Sequence, residues 1–491
     1  MTNSKGDETP EEEELMSDKV QVRPDLQVIP LLANESLYIG VDIGKFKHIA
    51  GFVSTTLLAR YQRFEGCPAQ VFEQSREGFR VFVDRIRSYV PLQQAYVLLE
   101  RTGHYHLALE QYLLEMGISV FVIHVQRRPT GMLKSDKRDA LNLANHLYSQ
   151  LELGAQVVDQ LHLVHRAVPP TEAAAQLRGM IRHREELIAE STQRKNKLTA
   201  LCDEIFPELT RVLKDPNSQT ALALREAFPT PQAVATASLS LLQTVRQNRQ
   251  LTDAKLVELQ RLAEGSIGVK EPARLRGLVF EQGQLIRELK LIHTHLEQLE
   301  TEMRQVVAHS REGKILTSIP PIGPIQAAAI LASIGHIANF ASAAKLKSYF
   351  GWAPASEQTG VSYDRQRLTP RGNRSMKRIM YLIVWQAIQM KDSEWAKLYE
   401  RLVPRLCSYD ERKQSYTGKG KVIGRLAGQI TSVIYALLKK DDETLRTLAP
   451  GAKPPEPVLY DPEIHRQHRT GQYHAPSSGQ KPYKIIQLPI H

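Results

Sequence analysis

Apolar residues in this chain keep two different periods, and the switch between them constrains the fold more than any single motif. From about Leu37 to His124, short runs rich in β-branched and aromatic residues, "LYIGVDIG", "HIAGFVS", "AYVLLE" and "ISVFVIH", alternate with the amphipathic stretches "EGFRVFVDRIRSYV" and "HYHLALEQYLLEMG". Runs of that length bounded by turn residues read as buried strands. The stretches between them read as helices, the second stopped by Gly117. Strands alternating with helices imply an α/β sheet, its first two strands a hairpin. A further helix, "KSDKRDALNLANHLYSQ", closes this domain, with expected bounds 34–150.

Beyond it the period lengthens. Leu177, Met180, Ile181, Leu187, Ile188, Leu198 and Leu201 recur at spacings near three and four, and Ala273 to His309 carries a second such stripe. Two helices of this length suit a coiled coil or an antiparallel hairpin, and a plain bundle fits equally well. The helical middle is placed at 151–312 and a third, mainly helical domain at 313–448. Residues 1–33, with "DETPEEEELMSD", have little to bury and read as a disordered acidic tail. Residues 449–491, rich in Pro, Gly and His, read as an irregular tail whose histidines lack metal-binding spacing. A chain of 491 residues accommodates this division.

Composition excludes several classes. No apolar run approaches the roughly 20 residues of a membrane span. The acidic N-terminus lacks a secretory core, and Cys67, Cys202 and Cys407 are too isolated for a disulfide framework or a zinc knuckle. A cytoplasmic protein is expected. The net charge of +11 is uneven: Tyr363 to Arg425 holds 15 Lys and Arg against 6 Asp and Glu. Such a surface attracts polyphosphate, or is simply a solvated face.

Four acids stand out within the first domain. Asp42 interrupts a strand, and a carboxylate there is costly unless it faces an open site. Glu100 ends the next apolar run, where sites form in α/β sheets. Asp136 and Asp139, three apart, share one helix face. Together they could hold Mg²⁺ or Mn²⁺, and a metal pair can clamp a phosphodiester during in-line displacement. Singly, each has an ordinary structural reading. "DIG" also opens the phosphate turn of actin-like sugar kinases, but the second acid–glycine turn and the glycine-rich adenosine loop of that class are missing.

The ordered set "GVDIGK", "LLERTGHY" and "KSDKRDA" resembles the acidic-tetrad (DEDD) transposases of bacterial insertion sequences. This is the insertion-sequence one-hundred-and-ten type, akin to Piv-type DNA invertases. The resemblance implies a RuvC-like, RNase H-like N-terminal domain whose tetrad, here Asp42, Glu100, Asp136 and Asp139, binds Mg²⁺. The stretch from "LTSIPPIGPIQAAAIL" to "MYLIVWQAI" resembles the C-terminal transposase domain of that family; the likeness covers roughly 37–150 and 315–440. "SIPPIGPIQ" also suggests a helix–hairpin–helix turn whose N–H groups grip phosphate. Pro321 replaces a glycine of the family pattern, and a plain helix start is the alternative.

The family cuts DNA with a serine in an "SG" dipeptide after a "GLAP" turn. Here the segment reads "GWAPASEQTGVSYDR", and the matching residue is Thr359. Thr359 itself, Ser362 (with Ser356 a weaker choice), or no residue at all is the nucleophile. Arg365, Arg367, Arg371, Arg374, Lys377 and Arg378, with Lys419 and Lys421 further on, are the expected nucleic-acid contacts. The resemblance implies a transposase or recombinase acting on donor and target DNA through a covalent hydroxyl–DNA intermediate, assembled as dimers and tetramers. It also implies guidance by a non-coding bridge RNA. A metal-dependent structure-selective nuclease and a non-catalytic nucleic-acid-binding relative are the alternatives.

Overall fold

Alternation along the first strand decides the layout of the N-terminal part. In β1 (Leu37–Asp42), Leu37, Ile39 and Val41 point to one face of a sheet, and Tyr38, Gly40 and Asp42 to the other. β2 (Lys47–Val53), β3 (Ala69–Glu73), β4 (Ala95–Arg101), β5 (Ser119–His124) and β6 (Val164–Arg166) complete it in the order β3-β2-β1-β4-β5-β6. β1, β4 and β5 run parallel, while β2, β3 and β6 are antiparallel to their neighbours. The computed structural model describes residues 31–32, 34–101, 103–124, 135–153, 164–246, 251–359, 363–368, 372–391, 393–449 and 451–467. Most of the acidic segment, and His468, His474 and His491 of the tail, lie outside the described residues.

After α1 (Thr55–Tyr61), α2 (Arg76–Tyr89) and α3 (His106–Glu115) cover the first face. Phe79, Phe82, Val83 and Ile86 recur along one side of α2 and join Leu109 and Leu113 of α3 over Ile39, Val41, Val97, Leu99, Val120 and Val122. Ser75 caps α2 by accepting the Gly78 N–H at 3.0 Å. On the second face Tyr38, Leu98, Phe121 and Ile123 gather with Leu147 of α4 (Asp136–Leu151).

That helix sits unusually low, and glycine is the reason. Gly40 and Gly51 are cross-strand partners. A Cβ on Gly40 would lie 2.2 Å from the Ala140 carbonyl oxygen and 2.3 Å from the Ala144 nitrogen; one on Gly51 would lie 2.8 Å from the Leu141 nitrogen. The α4 backbone therefore rests on strand backbone, with no side-chain layer between. The mixed sheet fits the RNase H-like expectation. β6, three residues carrying no readable period, joins the edge beyond β5. The first compact unit accordingly runs to Pro169 and the second from Pro170, where the sequence suggested a break near 150.

The second unit is mostly helical. α5 (Glu172–Ile205) and α11 (Pro272–His309) run antiparallel, as the pairs Arg184–Glu300 at 2.7 Å, Arg194–Glu288 at 3.1 Å and Glu204–Arg274 at 2.7 Å show. Their apolar stripes face each other within one chain. Leu198, Leu201 and Ile205 meet Leu285, Ile286 and Leu289, together with the short helices α6 to α10 between Leu209 and Glu264. At the other end, Leu177, Met303 and Val307 enter the core of the transposase-like region. That region holds α12 (Arg311–Thr317), α13 (Pro324–Ile334), α14 (Ala343–Tyr349), the hairpin β7 (Pro354–Thr359) and β8 (Tyr363–Leu368), and α15 (Arg374–Gln389). α16 (Glu394–Leu406), the hairpin β9 (Ser408–Asp410) and β10 (Ser415–Thr417), and α17 (Gly420–Arg446) follow. Residues 452–461 have no regular structure, yet Tyr460 stacks on Trp395 at 5.3 Å and donates its N–H to Ser318 at 2.9 Å. Among the described residues no helix is long and apolar enough to cross a membrane.

Gly40→Ala is expected to cost about 2 kcal/mol or more, because the added methyl meets backbone that cannot rotate away. Gly179→Ala on α5, with open space around it, is expected to be neutral or to stabilise by up to about 1 kcal/mol. Chemical denaturation of the two variants measures the contrast.

Candidate active site and nucleic-acid surface

The placement of α4 decides which acids share one end of the sheet. Tyr38 stacks edge-on against Tyr148 at 5.3 Å and bonds Glu152 through its hydroxyl, whereas Gly40 underlies Ala140 and Ala144. The helix thus runs opposite to β1, and its N-terminus lies at the strand's C-terminal end. Asp42 ends β1 there. The β1–β4 register pairs Val41 with Leu99, which makes Asp42 and Glu100 the next residues along adjacent parallel strands. Both alternate onto the α4 face, as Gly40 and Leu98 do. Sites in α/β sheets form at this end of parallel strands.

Ser135 caps α4 by accepting the Arg138 N–H at 3.3 Å, which fixes the first turn. Asp139 is only 4% exposed in that turn, and Asp136, three residues earlier in the same turn, is exposed. Three of the four sequence candidates, Asp42, Glu100 and Asp139, therefore share one end and one face of the sheet, with Asp136 outermost. Asp42 and Asp139 also engage neighbouring groups of the chain. Among the described residues, no three His, Cys, Asp or Glu side chains close into a metal-ligand set. The donors on offer are all carboxylate oxygens, the chemistry a hard divalent cation takes. A nearly buried carboxylate such as Asp139 also gains most from a compensating charge.

A buried network on the opposite face of the sheet, under α2, escaped the sequence reading. Gly44, in the β1–β2 turn, donates its N–H to His48 Nδ1 at 3.3 Å. His48 Nε2 bonds Gln74 Oε1, and Gln74 Nε2 donates to the Tyr105 carbonyl at 3.0 Å. His48 is fully buried between Phe72 and Phe79, and burial pushes its pKa down; because Nδ1 accepts the Gly44 N–H, the ring proton toward Gln74 sits on Nε2. The only sequence signal was a histidine at an inward position of β2.

In the second unit the hairpin register sets Thr359 opposite Tyr363 at its closing end. Ser362 and Arg371 lie outside the described residues. Ser356 pairs with Gln366, Arg365 with Glu357, and Arg367 with Ala355 along the backbone. The base of the hairpin is held tightly. Gly372, at φ +106°, approaches Gly351 so closely that a Cβ would lie 2.6 Å from the Gly351 Cα, and Asn373 donates its N–H to Tyr349 O at 2.8 Å. Asn373 in turn caps α15 through Met376 N at 3.1 Å. Arg374 and Arg378 are exposed on that helix, and Lys377 is half-buried. Lys419 and Lys421 are exposed where α17 begins, and a Cβ added to Gly424 of that helix would lie 3.6 Å from Leu368 of β8. This proximity sets the two basic groups on neighbouring elements. The Pro-rich turn is less open than expected: the Gly323 N–H already bonds its own Gln326 Oε1 at 2.6 Å, leaving one donor fewer for phosphate.

Comparison with known proteins now decides the lineage. A DEDD transposase model of IS110 type matches residues 39–207, and the family described as Transposase IS116/IS110/IS902 matches residues 313–400. The chain belongs to the IS110-type DEDD transposase family. The first match takes in all four acids; the second takes in Thr359, Ser362 and the basic run through Arg378, while Lys419 and Lys421 fall beyond it. Among relatives, the IS110 uncharacterized 43.6 kDa protein of Streptomyces coelicolor is 26% identical over 313 residues, 63% of this chain and 71% of its own length. The mini-circle putative transposase for IS117 of the same organism is 26% identical over 262 residues, 51% of this chain and 60% of that protein. The IS116 uncharacterized 44.8 kDa protein of Streptomyces clavuligerus is 25% identical over 232 residues, 46% of this chain and 57% of its own length. A family of DNA transposases is thereby shown.

Gly372→Ala is expected to lower stability by about 2–4 kcal/mol, combining a left-handed backbone penalty with a backbone clash. Gly420→Ala, in open space nearby, is expected to leave the unfolding midpoint within about 0.5 kcal/mol, as measured by denaturant titration.

Proposed function

We propose that this chain cleaves and exchanges strands of donor and target DNA through a covalent link between a hydroxyl side chain and a DNA end. The observation carrying this reading is the common placement of Asp42, Glu100 and Asp139 at one end and on one face of the sheet, with Asp136 beside them. These four acids are assigned as the holders of Mg²⁺ or Mn²⁺. Such an ion, when bound, supplies a Lewis acid that withdraws charge from a phosphodiester.

The chain's own groups do the rest. The hydroxyl of Thr359, or of Ser362 three residues on, attacks phosphorus; one P–O bond forms to the protein as one P–O bond to DNA breaks. The hydroxyl proton passes to solvent, and the departing DNA oxygen takes one up. A hydroxyl of the recipient strand reverses the step on a new partner, so bond energy is conserved without a nucleotide cofactor. Thr359 carries a methyl that crowds in-line approach, which makes Ser362 a real competitor. Arg365, Arg367, Arg371, Arg374, Lys377, Arg378, Lys419 and Lys421 are assigned to phosphate contacts, which position DNA without reading its bases. The family resemblance supports assembly as dimers or tetramers in the cytoplasm, with a non-coding bridge RNA selecting the sites.

Three outcomes test this. With a suicide DNA substrate and Mg²⁺, the wild-type chain is expected to form a protein–DNA adduct, and either Thr359→Ala or Ser362→Ala to abolish it. Cleavage that persists with no adduct in any variant establishes the structure-selective nuclease instead. Asp42→Asn is expected to reduce cleavage at least 100-fold while the unfolding midpoint stays near wild type; unaltered cleavage removes the acids from the chemistry. Replacing Arg374 and Arg378 together by Ala is expected to weaken DNA binding uniformly across sequences and to lower the slope of log K against log salt by about 2.

A further inference from the structure

The β1–β2 turn beside the acids carries "Lys45-Phe46-Lys47", and all three side chains are exposed. Phe46 is 72% exposed, an unusual position for a large apolar ring. It does not sit on a loose tip. Its carbonyl accepts the Gln74 N–H at 2.8 Å, and Lys47 pairs with Glu73 in the β2–β3 register. Two residues earlier, Gly44 is tied to buried His48, and His48 to Gln74, which reaches across to Tyr105 just beyond β4. The backbone under the ring is thus fastened to β2, β3 and the start of α3. Lys45 Nζ lies over the ring, 4.9 Å from its centroid.

An anchored, solvent-facing aromatic flanked in sequence by two exposed lysines is a stacking platform for a nucleobase, with neighbouring phosphates drawn by the lysines. Bases inside a duplex are already stacked on both faces, so only an unpaired base gains. We infer that Phe46 stacks on an unpaired DNA base at the β1–β2 turn, the same end of the sheet as the acids, favouring strands that are melted or branched next to the cut. This rests on the reading that the chain acts on DNA at those acids, and it names the strand conformation that site takes.

Binding of the full-length chain in EDTA to a 20-nucleotide single-stranded DNA bearing one 2-aminopurine, to the matching duplex, and to RNA of the same sequence tests it without any cleavage. Phe46→Ala is expected to weaken single-strand DNA binding about tenfold and to abolish quenching of 2-aminopurine, with duplex affinity unchanged within about twofold. Phe46→Tyr is expected to restore both. Equal losses on single strand and duplex, no loss at all, or a loss confined to RNA overturns the inference. A chain that cuts DNA while Phe46→Ala binds normally loses this inference alone. A chain that does not cut, yet shows the Phe46 effect, loses the cleavage reading and keeps the base platform.

Discussion

The contact of the α4 backbone with the Gly40–Gly51 pair is what the N-terminal unit depends on. Most helices rest on a sheet through a layer of interdigitated side chains, which tolerates sliding and repacking. Here the carbonyl of Ala140 and the amide of Ala144 meet strand backbone directly, so the helix has one seat. Asp139 is carried one residue before Ala140, and the seat delivers it to the end of β1 where Asp42 stands. The parallel register with β4 brings Glu100 to the same end. A local rule about glycine, that it permits close backbone approach, thereby decides which end of the sheet three acidic residues share.

Much of this was legible in the sequence. The strand runs and the α2 stripe follow from apolar period, and Ser135 ahead of Asp136 is a readable helix start. The two strand glycines were also a signal, since "YIGVD" and "IAGFV" each break a strand interior where glycine weakens pairing unless something approaches. Period reading has no way to say what approaches, and the partner helix is some 90 residues away. β6 was illegible because three residues cannot display alternation. The His48–Gln74–Tyr105 chain joins residues 26 and 31 apart through side chains of ordinary composition, and no local pattern marks it.

In the second unit the two long stripes were visible, but their use was not. Charge pairing shows why they close on each other: Arg184, Arg194 and Glu204 meet Glu300, Glu288 and Arg274 in reverse order along the facing helix. Exposed and half-buried pairs of this kind contribute little stability and serve chiefly to fix direction. The buried apolar residues carry the energy, and at one end they merge with the core beneath the β7–β8 hairpin. The hairpin's base is pinned by Gly372 and Asn373 to the end of α14, which steadies the strand that ends in Thr359.

The seat under α4 also limits how such a domain can be re-engineered or can drift. Length changes in the connection that precedes Ser135 leave the helix where its backbone touches the strands, so they alter reach without altering aim. One residue added between Asp139 and Ala140 is different in kind. It turns Asp136 and Asp139 by about 100° around a helix that cannot rotate in compensation. Lineages built on this platform are therefore free to vary their loops and bound to conserve phase.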